Sequence, residues 1–264
     1  MSFFSVHNLT TGYGKHAILE NISFQLDDGC ILGILGANGC GKTTLLKAMC
    51  GILPHEGTCT LEQTLLEELS PKQLAKLVRY IPQQSGISID ISALDVVLMG
   101  FNPYLGLLEY PTESMKKDAL YALASVGLEG KEHTNYLHLS QGQKQLCILA
   151  RTLVADSKLL LLDEPESALD FRFRYRMLSL LQNWVSSGKR SAIVTLHDPA
   201  LALNFCDRLL LLSEGGILSI ENPKTRSLAE MEKNLGVLYG NISLQICYNR
   251  NGESKIVMLK EDEK

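Results

Sequence analysis

Ile31-Leu32-Gly33-Ile34-Leu35-Gly36-Ala37-Asn38-Gly39-Cys40-Gly41-Lys42-Thr43-Thr44-Leu45-Leu46-Lys47-Ala48-Met49 is the stretch on which the fold turns. It opens on a short unbroken apolar run, Ile31 to Leu35, suited to a strand covered on both faces, and closes on Thr44 to Met49, which reads as helix. Between them Gly36 to Thr43 fit G-x-x-x-x-G-K-[ST], in the strand, loop, helix context that this spacing requires. Glycines let consecutive backbone N–H groups turn inward on phosphate oxygens, and the helix that follows points its positive end at the same place. Lys42 can reach the β- and γ-phosphates, and the Thr43 hydroxyl can ligate Mg²⁺.

Further along, Leu159-Leu160-Leu161-Leu162-Asp163-Glu164-Pro165 places two carboxylates at the end of an apolar strand, where ligands of open α/β sheets collect. Asp163 is suited to the Mg²⁺ shell and Glu164 to polarising an attacking water. Alone, such a pair is more often a solvated loop or a helix cap; its company with Lys42 reverses that weighting. Lys158 to Leu162 and Ser191 to Leu196 read as buried strands separated by a helix near Phe171 to Ser187, and this βαβ alternation implies a parallel sheet. Before the loop, alternating residues (Phe4, Val6, Ile18, Ile22, Phe24, Leu26) read as antiparallel strands. From Ser70-Pro71 to about Ser140 the pattern turns mainly helical, with Ser92 capping Ala93 to Met99 and Thr112-Glu113 opening Ser114 to Val126. Ile242 to Tyr248 and Lys255 to Leu259 read as a hairpin.

With these segments in hand, the sequence resembles the ATP-binding cassette (ABC) family over almost its whole length. Leu139-Ser140-Gln141-Gly142-Gln143 is similar to the family signature, Ser167-Ala168-Leu169-Asp170 to its D-loop, Gln83 after Tyr80-Ile81-Pro82 to its Q-loop, and His197 after Thr195-Leu196 to its switch histidine. Tyr13 fits the aromatic that stacks on adenine. The resemblance implies an α/β fold: a P-loop NTPase core with a parallel sheet, an N-terminal antiparallel β subdomain and an inserted helical subdomain. It also implies one domain over 1–264, with the helical part at about 84–157 and a C-terminal hairpin at about 242–260. ATP and Mg²⁺ are the implied ligands. Gly36, Ala37, Asn38, Gly39, Cys40, Gly41, Lys42, Thr43 and Thr44, with Tyr13, Ser140, Gly142, Gln143 and Asp170, would bind nucleotide. Thr43, Gln83 and Asp163 would hold the metal; Glu164, His197 and Gln83 would carry the catalysis.

Ser140 caps a helix running from Gln141 to Leu153, so its hydroxyl and the Gly142 N–H present a second helix N-terminus to phosphate. In the family the signature of one protomer closes over the ATP of the other, which implies an isologous head-to-tail homodimer. Two positions depart from the family pattern: Gln141 stands where glycine is common, and Glu166 where threonine is frequent. Neither removes an expected ligand, so ATPase activity at both composite sites is expected.

Ser92 to Tyr104, followed by Tyr110-Pro111-Thr112, resembles the corresponding stretch in the ATPase subunits of importers of ferric siderophores, haem and cobalamin. By that resemblance the partners are transmembrane permease subunits and, through them, a substrate-binding protein, with the chain peripheral on the cytoplasmic face of the membrane. Composition agrees with a folded chain: 264 residues, 45% hydrophobic and 20% charged. No apolar run approaches the roughly 20 residues of a membrane span, and the N-terminus lacks the pattern of a secretory signal. Seven cysteines without a C-x-x-C pair signal neither a zinc site nor a disulfide framework. The formal charge of −4, with no basic block, disfavours nucleic acid, the partner of a soluble cassette ATPase acting on DNA or ribosomes. A P-loop kinase or GTPase would leave Leu139 to Gln143 and His197 without a role.

Overall fold

The computed structural model describes residues 2–167 and 169–262; Ala168 of the D-loop segment, Met1, Glu263 and Lys264 lie outside them. In chain order the elements are β1 (Phe4–Tyr13), β2 (His16–Leu26), β3 (Ile31–Gly36), α1 (Lys42–Met49), β4 (His55–Leu61), β5 (Thr64–Leu65), α2 (Pro71–Leu77), β6 (Val78–Ile81), α3 (Ala93–Leu98), α4 (Glu113–Ser125) and α5 (Gln141–Leu153). There follow β7 (Leu159–Asp163), α6 (Phe171–Ser186), β8 (Ser191–Thr195), α7 (Pro199–Phe205), β9 (Arg208–Ser213), β10 (Gly216–Glu221), α8 (Leu228–Tyr239), β11 (Ile242–Tyr248) and β12 (Ser254–Lys260).

A six-stranded sheet of order β10-β9-β3-β8-β7-β6 forms the centre, parallel except where β10 returns antiparallel on β9. Its strands are apolar at successive positions because both faces are covered. One face, with Ile31, Leu35, Leu160, Leu162, Ala192 and Val194, packs into the core that includes α3 to α8. The other, with Leu32, Ile34, Leu159, Leu161 and Ile193, packs against α1 and the antiparallel sheet β2-β1-β4-β5. The phosphate-loop helix is thus held between two sheets. A separate ribbon pairs β11 with β12 from Ile242↔Lys260 to Tyr248↔Ser254.

The stretch 70–140, mainly helical by pattern, also supplies a strand: β6 follows α2 without a turn and pairs in parallel with β7 from Val78↔Leu159 to Ile81↔Leu162. Four residues abutting a helix give periodicity too little length to separate the two. Each of α2 to α8 begins on a Ser, Thr or Asp whose side chain accepts a first-turn backbone N–H: Ser70, Ser92, Thr112, Ser140, Asp170, Asp198 and Ser227. α1 begins instead on Gly41 at φ 102, with no side-chain cap. Among the described residues no helix is long and apolar enough to cross a membrane.

Leu161 is wholly buried at the centre of the sheet face toward α1. Leu161→Ala is expected to lower the unfolding free energy by about 2–5 kcal/mol with an unchanged denaturant slope, read from urea titration.

Candidate active site

The loop between β3 and α1 is shaped by glycines that admit no substitute. A Cβ on Gly36 would lie 2.4 Å from the Leu212 carbonyl oxygen and 2.6 Å from Cys40 Sγ. Gly41 has φ 102, and a Cβ there would press on Leu19 at 2.9 Å. Ala37, Asn38 and Gly39 are exposed on the outer turn, Cys40 and Thr44 are buried, and burial pushes the Cys40 thiol up. Lys42 is also buried, its Nζ donating to the carbonyls of Gly36 (2.8 Å) and Ala37 (3.1 Å). The uncapped start of α1 therefore faces a loop that already holds a cation, an arrangement matched to an anion.

Asp163 ends β7, buried, beside this loop. Its Oδ1 accepts the hydroxyls of Thr43 and Thr195, each at 3.0 Å, and its Oδ2 those of Thr43 (2.8 Å) and Tyr80 (3.2 Å). Burial, and then the Asp163 charge, push the Tyr80 hydroxyl well above its ordinary range, so it stays a donor. Thr43 and Asp163 set hydroxyl and carboxylate oxygens side by side, the hard-oxygen donor set that fits Mg²⁺.

Glu164 follows with φ 47, a left-handed conformation that costs a non-glycine residue roughly 1–2 kcal/mol. Its backbone N–H donates to Thr195 Oγ1 at 2.8 Å, which holds the turn. The turn brings Glu164 Oε2 to 2.7 Å from Gln83 Nε2 and 2.7 Å from His197 Nε2. The Glu164 side chain is 12% exposed and that of His197 45%, so the group opens to solvent on the histidine side. The structure thus brings together Gln83, Glu164 and His197 on one oxygen, and Thr43 and Asp163 beside the loop.

Among the described residues, Tyr13, Ser140, Gly142, Gln143 and Asp170 make no hydrogen bond to this cluster. Tyr13, half exposed, ends β1 beside Leu53, Pro54 and His55. Ser140 and Gln143 form a capping box at the start of α5, with Ser140 Oγ accepting the Gln143 N–H (3.3 Å) and Gln143 Oε1 accepting the Ser140 N–H (3.1 Å). The Gln143 side chain is therefore engaged within its own helix. Asp170 Oδ1 caps α6 by accepting the Phe173 N–H at 3.0 Å. Among the described residues no hydrogen bond joins Ser140, Gly142 or Gln143 to Lys42, Asp163 or Glu164.

Residues 19–167 match the family model described as ABC transporter. The chain belongs to that family. The hemin import ATP-binding protein HmuV of Pseudomonas fluorescens is 37% identical over 224 residues, covering 83% of this chain and 86% of that protein. The structure of a metal-chelate type ABC transporter in an inward-facing conformation aligns with a TM-score of 0.83 and 28% identity, over 99% of both chains. A bacterial ABC transporter cassette solved as a dimer aligns with a TM-score of 0.75 and 26% identity, over 85% of this chain and 99% of that one. The ABC cassette is a nucleotide-binding ATPase whose ATP hydrolysis is coupled to transport, and its α/β fold is the one described above.

Three residues that pattern reading did not assign to the site carry its geometry: Tyr80, Thr195 and Glu166. Glu166 is the most consequential. Its side chain is buried, with Oε1 accepting the His197 backbone N–H at 3.0 Å and Oε2 finding no hydrogen-bond partner among the described residues. Burial pushes its carboxyl above the usual 4.5. The folded chain then binds more protons than the unfolded chain between 4.5 and that raised value, so stability falls as pH rises through this window. Glu166→Gln keeps an acceptor for His197 and removes the charge. It is expected to raise Tm relative to the unsubstituted protein by more at about pH 8 than at about pH 4, read by thermal scans across pH.

Proposed function

We propose that this chain is the ATP-hydrolysing subunit of an importer for metal-containing chelates of the siderophore, haem or cobalamin class, with Glu164 as its general base. The convergence of Gln83 and His197 on Glu164 Oε2, beside the Lys42 loop, carries the reading of the site. The substrate class rests on likeness to a hemin import ATPase and to a metal-chelate type transporter.

In this reading the α1 N-terminus and Lys42 hold the β- and γ-phosphates of ATP, and Tyr13 stacks on adenine. Thr43 and Asp163, with the amide oxygen of Gln83, would hold Mg²⁺, which supplies charge neutralisation on the phosphates when bound. Glu164 accepts the proton of the attacking water, and His197 orients that carboxylate and faces the γ-phosphate. Ser140 and the Gly142 N–H, which make no hydrogen bond to this chain's own cluster, close over the ATP of a second copy in a head-to-tail dimer. The closed dimer is favoured by Mg-ATP and the open one by product release, a population shift that Gln83 passes to the permease surface. Beyond α3, Leu107 is 100% exposed, Leu108 88% and Tyr110 86%, an apolar loop suited to a transmembrane partner. A substrate-binding protein completes the importer on the far side of the permease.

Glu164→Gln is expected to lower ATP turnover by about 10²–10⁴-fold while an ATP-dependent dimer accumulates on size exclusion. Turnover near the unsubstituted rate would remove Glu164 from its role. Lys42→Ala is expected to weaken ATP binding measured by calorimetry. Tagged Glu164→Gln protein with Mg-ATP is expected to retain a polytopic permease from detergent-solubilised membranes. Retention of ribosomal or DNA-bound proteins alone would overturn the transport reading.

A further inference from the structure

A second group of chemically mixed side chains lies outside the nucleotide site, on the antiparallel sheet. His55 and Cys59 on β4 and Glu67, in the 3₁₀ turn Leu66–Glu68 after β5, bring one imidazole nitrogen, one thiol sulfur and one carboxylate oxygen within 4.8 Å of one another. The geometry points to a binding site for a borderline-soft divalent cation of the Zn²⁺ type, with these three side chains as ligands and one coordination position left to water.

The donor set is the first argument. Imidazole, thiolate and carboxylate together suit Zn²⁺ or Co²⁺, whereas Mg²⁺ and Ca²⁺ take oxygen alone. The histidine tautomer is the second. His55 Nδ1 lies 3.1 Å from the Glu56 carbonyl oxygen, which accepts an N–H there and leaves the Nε2 lone pair pointing away. That arrangement, a ring N–H on a backbone carbonyl and the other nitrogen free, is how metal-ligating histidines are ordinarily fixed. Nε2 then lies 3.4 Å from Glu67 Oε1, close enough for one ion to take both atoms as ligands.

Burial is the third argument. The His55 side chain is 8% exposed and Cys59 1%, while that of Glu67 is 30% exposed and forms the solvent side of the cluster. Glu67 is itself positioned, its Oε1 accepting the Cys59 backbone N–H at 2.7 Å. Between the two strand ligands, Gly57 at φ 81 lies so close to β1 that a Cβ would meet the His7 and Asn8 carbonyl oxygens at 2.4 Å. The cluster's backbone is thus fixed by the sheet. His55 pairs across β4 and β1 with Thr11, two residues before Tyr13, so an ion here would tie down the strand end that carries the aromatic. The site requires nothing of the transport reading.

The test uses the full chain, stripped with chelator and free of nucleotide, titrated with Co²⁺. One equivalent is expected to produce a thiolate-to-cobalt charge-transfer band and the intense visible bands of a four-coordinate ion, and Zn²⁺ is expected to displace it. Cys59→Ser is expected to abolish the charge-transfer band, and His55→Ala to weaken binding by more than roughly 100-fold. Since Cys59 is buried, Glu67→Gln is the second variant: its amide oxygen still accepts the Cys59 N–H, yet binding is expected to weaken. Zn²⁺ at about a hundredfold excess over Kd is expected to raise Tm by at least about 4 °C in the unsubstituted protein and not in the variants. Absence of the band, or a band that survives Cys59→Ser and Glu67→Gln, would overturn the proposal and leave His55, Cys59 and Glu67 as a packing contact of the sheet.

Discussion

The Asp163 carboxylate lies in the interior and accepts four hydrogen bonds from three other elements. Thr43 reaches it from α1, Tyr80 from β6 and Thr195 from β8, the last two being the strands that flank its own. A buried charge is tolerated only when its oxygens are satisfied, and losing one partner leaves a cost larger than the bond itself. These donors therefore fix how β6, β7, β8 and α1 end relative to one another. Thr195 serves twice, since the hydroxyl that donates to Asp163 also accepts the Glu164 N–H. The left-handed turn at Glu164, and with it the meeting of Gln83 and His197, is built on that anchor.

Much of this was legible in the residues. The strand, loop and helix around Lys42 follow from a buried apolar run, fixed glycines and helix formers, each acting over a few residues, and they occur where the pattern puts them. Ser92, Thr112 and Ser140 cap the helices expected of them, because a side chain accepting an N–H two or three residues ahead is a local event. Tyr80, Thr195 and Glu166 escaped because their parts depend on partners far away in sequence: Tyr80 meets Asp163 across 83 residues and Glu166 meets His197 across 31. Glu166 departs from the family pattern, but nothing in sequence tells a surface glutamate from a buried one holding a backbone N–H. β4 hid for a different reason. His55-Glu56-Gly57-Thr58-Cys59-Thr60-Leu61 buries only Cys59 and Leu61, and its glycine interrupts the alternation. β9 carries a four-leucine run like that of β7, the local pattern of a strand covered on both faces.

The helix starts are satisfied in two different ways. Seven helices satisfy their first-turn N–H groups with their own side chains, while α1 does so with none. Among the α-helices of the described residues α1 is thus the exception, and its free first-turn N–H groups stand where an external anion can complete the hydrogen bonding.

The bonds that Lys42 makes inside its own loop bear on how nucleotide arrives. A free lysine side chain gives up about 2 kcal/mol of rotamer entropy when fixed. Here the ammonium is already immobilised against the Gly36 and Ala37 carbonyls, so that loss belongs to folding. In the proposed function, phosphate oxygens entering the loop would replace these carbonyls as acceptors of the ammonium. The proposed affinity at this position would accordingly be set by the contest between carbonyl and phosphate, with the entropy of the side chain already spent.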